Sequence, residues 1–190
     1  MKRFKSFSFG ILLVALMGLF SCVNESTITL ENKPYFDLKG FIEKEIEKLD
    51  SMEVSKFSQI QLEEKQTDVV YSIQDWEEEL GIFKDADINK SSLLQSYETK
   101  SSDEMLSHEL LPKEKGDVKY IKVTYSQDEV SSVSIEISEQ NLFYTSTTLA
   151  EIHMSNTGNM IDHYSIEKNQ KIWFLDENRM KIMGTLVSKN

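Results

Sequence analysis

The 190-residue chain contains one cysteine, two prolines, seven glycines and three histidines. A single cysteine excludes a disulfide within the chain, and it excludes the paired-cysteine motifs of zinc and redox sites. With two of the seven glycines in the first 21 residues, no glycine-rich loop remains that could hold a phosphate group. The sequence motifs of serine hydrolases, zinc proteases and nucleotide-binding proteins are also absent. These absences disfavour nucleotide-dependent and thiol-dependent enzymes.

Positive charge is scarce as well. The chain has 21 Lys and Arg against 32 Asp and Glu, a net charge of -11. Three of the basic residues and none of the acidic ones lie in residues 1–21, so residues 22–190 carry 18 basic and 32 acidic residues, a net charge of -14. Such a surface repels phosphate backbones, which argues against nucleic-acid binding. It also disfavours electrostatic adsorption on anionic lipid.

What the sequence does contain is an N-terminal export signal. Three basic residues within the first five positions precede a mostly apolar run from Phe7 to Phe20. That run is shorter than the roughly 18 apolar residues of a membrane-spanning helix. It ends in Leu19-Phe20-Ser21-Cys22, with a small residue before the cysteine and a branched apolar residue three positions before it. We therefore predict a lipoprotein signal peptide over residues 1–21 and lipidation of Cys22.

Lipidation would fix this protein to a membrane through its new N-terminus. Each buried methylene of a fatty chain contributes about 0.8 kcal/mol, so two chains of the palmitate type anchor a protein stably. The alternative is cleavage at another site, which leaves Cys22 as a free thiol. We predict that residues 22–33 form the lipidated N-terminus and a flexible tether, and that residues 34–190 form a single domain.

The first half of the domain predicts two helices and a hairpin. One apolar stripe at helical spacing follows Pro34, which we place in the first helical turn; its residues are Leu38, Phe41, Ile42, Ile46 and Leu49. Alternating apolar residues over 54–62 and 69–73 predict two strands, with the polar run EEKQTD as their loop. Ser72 and Asp75 resemble a capping box that opens a second helix, with its stripe at Ile73, Trp76, Leu80 and Phe83. One further helical turn is predicted from Ser91 to Leu94.

The second half predicts strands. Apolar residues alternate in runs separated by the polar segments SQDE, SEQN, NTGN, EKNQ and DENR, which indicates about six strands from Val118 to Val187. Short connections of this kind join antiparallel strands. The segment Tyr97 to Leu111 fits a short helix or a strand equally poorly. The predicted fold class is α+β, with two amphipathic helices packed on one face of a twisted, mostly antiparallel meander sheet.

One polar cluster has the composition of a metal site: Glu151, His153, Asp162 and His163, on two strands that flank the turn at residues 156–159. A two-residue loop would place His153 opposite Asp162 and turn His163 to the other face. A three-residue loop would place Glu151 opposite His163, with His153 on the same side. The second register approaches a site of two histidines and one carboxylate. The simpler interpretation is a solvated polar face.

Aromatic residues form two adjacent pairs, Phe143 with Tyr144 and Trp173 with Phe174. Neighbouring residues of a strand point to opposite faces, so we expect one ring of each pair in the core and the other under a helix or the tether. The alternative is an apolar groove on a curved sheet, which would resemble the concave half-barrel of lipoprotein carriers. Its lining would be Tyr144, Met154, Met160, Tyr164 and Met183.

The export signal and the segments PYFDLKGFIEKEIEKL and DINKSSLLQSY resemble a group of small uncharacterised lipoproteins of Bacteroidetes-type bacteria. The resemblance covers the signal, the first helix and the end of the second helix. It carries no catalytic motif, so no functional residue transfers from it. The resemblance implies a location in the cell envelope. The resemblance leaves the anchor on either the outer or the inner membrane. Surface-exposed lipoproteins of such bacteria often carry several acids just after the cysteine, whereas residues 23–26 contain only Glu25, which favours a domain that faces the periplasm. We predict the outer membrane as the site of the anchor.

These observations lead to two functional hypotheses. The first is a non-enzymatic, lipid-anchored envelope protein that binds a protein or an apolar ligand, or acts in assembly, and needs no cofactor. The second is a metal-assisted enzyme centred on Glu151, His153 and His163. A purely structural envelope protein is a third and weaker hypothesis.

Overall fold

The computed structural model describes residues 33–155 and 160–187, and every statement below concerns these two ranges. The predicted signal peptide, Cys22, the tether up to residue 32 and the turn at residues 156–159 lie outside them. The described chain is α+β, with one large antiparallel sheet and a few short helices.

The helices precede most of the sheet in the chain. They are α1 (Leu38–Lys48), α2 (Ile73–Glu79), α3 (Gly81–Asp85) and a 3-10 turn (Ser91–Leu93). The nine strands are β1 (Met52–Ile60), β2 (Glu63–Tyr71), β3 (Tyr97–Ser101), β4 (Met105–Leu110), β5 (Val118–Ser126), β6 (Glu129–Gln140), β7 (Tyr144–Met154), β8 (Ile161–Ile172) and β9 (Asn178–Leu186).

The sheet is an open meander that is extended at one side by the hairpin of β1 and β2. Strands β3 to β9 lie side by side in chain order, and β9 then pairs with β1, so that the order across the sheet is β2-β1-β9-β8-β7-β6-β5-β4-β3. Every described pairing is antiparallel, as the short connections predict. The edges of the sheet are β2 and β3.

Helix α1 has the predicted apolar stripe, and it starts later than we expected. Asp37 caps it by accepting a hydrogen bond from the backbone N of Gly40 at 2.9 Å. A side chain at position 40 would collide with this carboxylate, which explains the glycine in an otherwise regular helix. Pro34 lies before the cap, so the prediction that it occupies the first turn was wrong. Leu38, Ile42 and Ile46 are buried.

The predicted capping box of the second helix is confirmed. Ser72 Oγ accepts from the backbone N of Asp75, and Asp75 Oδ2 accepts from the backbone N of Ser72 at 2.8 Å. The helical pattern is split at Leu80 into α2 and α3. Three residues of the predicted stripe, Trp76, Leu80 and Phe83, are fully buried, whereas Ile73 is exposed. The further turn predicted from Ser91 is the 3-10 turn.

The first hairpin exists, but its turn lies elsewhere. Residues 63–68, the run EEKQTD, form the first part of β2, and the chain reverses at Gln61 and Leu62 with a φ of 56° at Gln61. Strand β2 is an edge strand, and its first half is exposed on both faces. A polar sequence can form such a strand because neither face has to be buried.

The C-terminal half contains five strands from Val118 to Leu186, where we predicted about six. The polar run EKNQ at residues 167–170, which we interpreted as a turn, lies inside the twelve-residue strand β8. The ambiguous segment from Tyr97 to Leu111 forms the two strands β3 and β4.

The two faces of the sheet differ sharply, and we call them the buried face and the open face. Cross-strand neighbours on the buried face are Val133, Ile152, Tyr164 and Gly184, each paired with the next across β6, β7, β8 and β9. Their buried members and the buried residues of α1, α2 and α3 belong to one hydrophobic core. The open face carries alternating polar residues such as Ser134, Glu151 and Ser165.

A partly buried ionic cluster joins α2 to three strands. Glu79, the last residue of α2, binds Lys56 Nζ of β1 at 2.6 Å through Oε2 and accepts from Tyr164 OH of β8 at 2.8 Å through Oε1. Tyr71 OH of β2 lies 3.4 Å from Glu79 Oε2. Burial by itself lowers the pKa of Lys56, but its hydrogen bonds to Glu79 and Tyr71 prevail and raise that pKa above its ordinary value. The lysine therefore stays charged at neutral pH.

Candidate functional site

The structure places the predicted polar cluster at one end of the open face. His153 lies directly opposite His163, and Glu151 lies opposite Ser165. Neither predicted register has this pairing. Met154 pairs with Ile161, as in the two-residue-loop alternative, and Asp162 is then the extra residue of a β-bulge that shifts the register before His153. The bulge brings both histidines to the same face.

The two imidazole rings stack with centroids 4.5 Å apart and an interplanar angle of 15°. His163 Nδ1 lies 2.7 Å from Asp162 Oδ2, and His153 Nε2 lies 3.6 Å from Glu151 Oε2. All four side chains are about half exposed. Each histidine thus turns a nitrogen toward its own carboxylate, and the two rings stack without converging on a common point.

Within residues 33–155 and 160–187, no three His, Cys, Asp or Glu side chains are placed so as to hold a metal ion together. The four predicted residues are neighbours, but the structure does not arrange them as a two-histidine, one-carboxylate site. Three of them, His153, Asp162 and His163, line a shallow polar depression of about 510 Å³ together with Thr124, Ser131 and Ser132. Glu151 lines a neighbouring depression.

His108 is the third histidine of the chain and lies on β4. It is 1% exposed. Its Nε2 accepts a hydrogen bond from the backbone N of Phe36 at 3.0 Å, so the ring proton resides on Nδ1, which lies 2.9 Å from Thr99 Oγ1. Burial lowers the pKa of His108 below its ordinary value. The residue holds the segment before α1 against β4.

The five residues of the predicted apolar groove do not share one surface. Tyr164 lies on the buried face, 1% exposed, while Met183 pairs with Ser165 and lies on the open face. Met154 is buried near the far end of β7 from Tyr144, ten residues away along the strand. Met160 packs against the core next to the undescribed turn. The structure therefore does not bring these residues together as a groove.

Exposed apolar side chains gather at the opposite end of the sheet from the histidines. We call this surface the apolar loop end. It comprises the β1–β2, β6–β7 and β8–β9 turns, and its members are Ile60, Leu62, Leu142, Phe143, Trp173, Phe174 and Leu175. Leu62 is 95% exposed, Leu142 89%, Trp173 78% and Phe174 79%. Of the thirteen large apolar residues that are exposed in the described part of the chain, seven lie here.

Backbone hydrogen bonds tie these turns to one another. Trp173 N of the β8–β9 turn donates to Phe143 O of the β6–β7 turn at 2.9 Å. Gln61 N of the β1–β2 turn donates to Arg179 O at the start of β9, also at 2.9 Å. The three turns are therefore one structural unit.

The other end of the sheet has a different character. Its described turns are 102–104, with Ser102, Asp103 and Glu104, and 127–128, with Gln127 and Asp128. Both turns are exposed and polar. The described turns at this end are thus polar, whereas three of the turns at the opposite end carry the exposed apolar side chains.

The sequence contained a partial signal for the apolar loop end. The adjacent rings at 143–144 and 173–174 drew attention to this region, but the expectation that one ring of each pair enters the core was wrong for both pairs. Phe143, Trp173 and Phe174 are exposed, and Tyr144 does not belong to the hydrophobic core. Strand β8 ends at Ile172, so the rings of Trp173 and Phe174 lie in the turn, where alternation no longer applies. Two large adjacent rings beside a turn segment, Trp173 and Phe174, were the sequence signal for this exposed surface.

A second concave region lies between α3 and the buried face. This cleft of about 350 Å³ is lined by Ile82 and Asp85 of α3 and by Ile137, Thr148 and Lys168 of the sheet. Its lining mixes charged, hydroxyl and apolar side chains, and Ser146 and Thr148 within it are each only 5% exposed. The cleft has the size of a small-molecule site.

Compared with known proteins, the chain matches no family model, no curated protein sequence and no solved structure.

Proposed function

We propose that this chain is a lipid-anchored protein of the cell envelope whose domain is a non-enzymatic binding or assembly module. The observation that carries the proposal is the apolar loop end. Seven large apolar side chains gathered on three joined turns expose a surface that costs solubility and contributes nothing to the core. A surface of this kind is typical of a contact with a partner or a membrane.

We also infer that the helical segments cover the buried face of the sheet, as two amphipathic helices packed on one side. The bonds of Glu79 to Lys56 and Tyr164, and the shared hydrophobic core, support this arrangement. It accounts for the asymmetry of the sheet, because helices that satisfy the buried face leave the open face and the turns free for contacts.

The proposed location is the outer membrane, with the domain facing the periplasm. It is supported by the basic and apolar leader and by the small residue that precedes Cys22. No helix within the described residues has the length and apolar character needed to span a membrane. In this proposal the attachment is made by acyl chains on Cys22.

Replacing Cys22 tests the anchor. We expect Cys22→Ser to lose acylation and to appear in the soluble fraction after membranes are washed in excess buffer, whereas the wild-type chain stays with the membranes. Ser21→Ala is the matched control, because it keeps a small residue before the cysteine and should fractionate like the wild type. Retention of Cys22→Ser in washed membranes, at the wild-type level, would contradict the anchor.

A further inference from the structure

We propose that the apolar loop end inserts into the interfacial layer of a lipid bilayer. This inference deepens the proposed function, on which it rests for the nearby membrane, by naming the occupant of the exposed surface. It makes the domain a second point of attachment, beside the acylated N-terminus.

The side chains at this surface are those that prefer the boundary between water and hydrocarbon. Trp173 carries an indole N–H on an otherwise apolar ring, and such rings concentrate at the headgroup level of membranes. Phe143, Phe174, Leu142 and Leu62 are purely apolar and are all more than half exposed. Their burial in lipid removes from water a surface that no described part of the chain covers.

Several polar backbone groups of the turns are already hydrogen-bonded within the protein, which lowers the cost of removing water from them. Asn141 Oδ1 accepts from the backbone N of Phe143 at 2.8 Å and of Tyr144 at 3.0 Å. Lys171 Nζ donates to Leu175 O at 2.7 Å. Trp173 N donates to Phe143 O at 2.9 Å. These paired groups can therefore leave water without losing their hydrogen bonds.

The shape of the surface favours lipid over a folded protein. Six of the seven side chains lie in the three turns beyond the strand ends, and Ile60 is the last residue of β1. The most exposed of them, Leu62, Leu142, Trp173 and Phe174, project into solvent. A protein partner would need a matching pocket for each projection. Fluid acyl chains adapt to projections of any spacing.

The place where the N-terminal segment packs supports an orientation in which the apolar loop end faces the membrane. Tyr35 OH donates to Leu93 O and Leu94 O, and its ring packs 5.6 Å from that of Tyr97, the first residue of β3. Tyr97 pairs with Leu110, the last residue of β4, so this is the end of the sheet that carries the apolar turns.

The length of chain between the anchor and the domain is also consistent with insertion of the apolar loop end. Ten residues lie between Cys22 and Lys33, the first described residue, so the two are eleven residue steps apart. A span of that length reaches at most about 40 Å. An anchor at Cys22 therefore keeps the apolar loop end close to the membrane, where even weak insertion is favoured by the high local concentration of lipid.

The charges at the same turn select the lipid. Asp176 and Glu177 follow Leu175, and Arg179 pairs with Glu177 at 2.8 Å. The whole chain is also strongly acidic. Because anionic headgroups would be repelled, we expect insertion into zwitterionic lipid, and phosphatidylcholine vesicles are the probe.

The two tryptophans make the test selective. Trp173 is 78% exposed and Trp76 is fully buried, so a change in the environment of the first is visible against the constant emission of the second. The chain is purified from the envelope as the cell processes it and is mixed with phosphatidylcholine vesicles that carry a shallow nitroxide lipid. We expect the emission to move to shorter wavelength and to be quenched.

Matched variants locate the effect. Trp173→Ser should abolish both changes and retain the emission of Trp76, which also shows that the variant is folded. Leu142→Ser combined with Phe174→Ser should reduce the quenching of Trp173 several-fold, since each removes an exposed apolar group from the insertion. Val70→Ser, at an exposed apolar position on β2 away from the turns, should quench like the wild type.

The inference is overturned if the emission of Trp173 is unchanged and unquenched, whether or not the chain floats with the vesicles. A cross-link from position 174 to an envelope protein, with no quenching of the Trp173 emission, would also overturn the inference. It would show that a protein partner binds the apolar loop end. The mass of the same purified chain reports the acylation of Cys22 separately. An unacylated chain with a quenched Trp173 would refute the anchor alone, and an acylated chain with an unchanged Trp173 would refute the insertion alone.

Discussion

Gly184 shows how a single residue sets the position of a core side chain. It lies opposite Tyr164 in the β8–β9 pair, and a Cβ at position 184 would overlap the Tyr164 ring. The ring has no room to move, because its hydroxyl donates to Glu79 Oε1 at 2.8 Å and its face meets Trp76 edge-on. The missing side chain is therefore part of the packing of the buried face.

We predict that Gly184→Ala destabilises the domain by about 2–3 kcal/mol, the usual cost of overpacking a fixed core. Urea denaturation followed by the emission of Trp76 measures this change. Gly81→Ala is the matched control, since nothing lies within 4 Å of its Cβ position and no described glycine has a positive φ. That variant should be neutral, or more stable by about 0.5–1 kcal/mol. Equal effects of the two substitutions would refute the packing argument.

His108 makes a residue-scale prediction about pH. Its Nε2 can accept from Phe36 N only when the ring is neutral, and burial lowers its native pKa below the ordinary value of 6.5. Below pH 6.5 the unfolded chain therefore binds a proton that the folded chain does not. The stability due to this group is complete above 6.5, falls as the pH drops below that value, and stops falling at the lowered native pKa.

We expect His108→Gln to remove this part of the pH dependence, because glutamine offers an acceptor near the Nε2 position and does not titrate. Urea midpoints at pH 7.5 and at a pH below 6 measure the difference. His163→Gln, at an exposed histidine, is the control. Its stability should keep the pH dependence that His108 produces in the wild type. A wild-type slope in His108→Gln would show that another group is responsible.

At the scale of elements, α2 depends on the charge at its last residue. Glu79 links the helix to β1 and β8, and Lys56 and Glu79 are only 17% and 11% exposed. Glu79→Gln preserves an acceptor for Tyr164 but leaves the Lys56 ammonium partly buried without its counter-charge. We predict a loss of about 2–3 kcal/mol, smaller than the loss for a fully buried pair.

The double variant Lys56→Met with Glu79→Gln isolates the ionic contribution. It should recover most of the stability that Glu79→Gln loses, which the double-mutant cycle reports as a coupling energy. The exposed Glu78→Gln should change stability by no more than about 0.5 kcal/mol. A double variant as unstable as Glu79→Gln would indicate that geometry, and not charge, makes the contact.

The elements also show what the sequence can and cannot reveal. The capping box at Ser72 and the stripe of α1 were predictable, because both are local patterns that depend on neighbours three or four residues away. The polar run in β2 and EKNQ in β8 were misread as loops. Those strands are exposed on one or both faces there, so they need no apolar residue to form.

The candidate sites also combine features that a local sequence pattern predicts with features that depend on the strand pairing. The sequence grouped His153 with His163 correctly, but their direct pairing depends on a bulge at Asp162 that no local pattern announces. The predicted groove failed because Met183 and Tyr164 lie one residue apart in register and so on opposite faces. The apolar loop end depends on three turns that are far apart in the chain, and only the strand order brings them together.

At the scale of the whole molecule, the feature of interest is how the domain is oriented relative to the membrane. In the arrangement that we propose, an acidic domain is held at a membrane through its N-terminal segment. The end of the sheet against which Tyr35 packs also carries the exposed rings of Phe143, Trp173 and Phe174. The polar turns and the histidine pair then face away from the lipid, where they are accessible from the aqueous side. In this arrangement the strands run along the membrane normal and the open face looks sideways, parallel to the membrane plane.

All of these whole-molecule statements depend on the anchor. The most direct measurement is the mass of the N-terminal peptide of the chain purified from the cell envelope. The account predicts that the peptide begins at Cys22 and is heavier than its sequence by two or three fatty chains. A peptide that begins elsewhere, or a Cys22 whose thiol is unmodified and reacts with a thiol reagent, would contradict it.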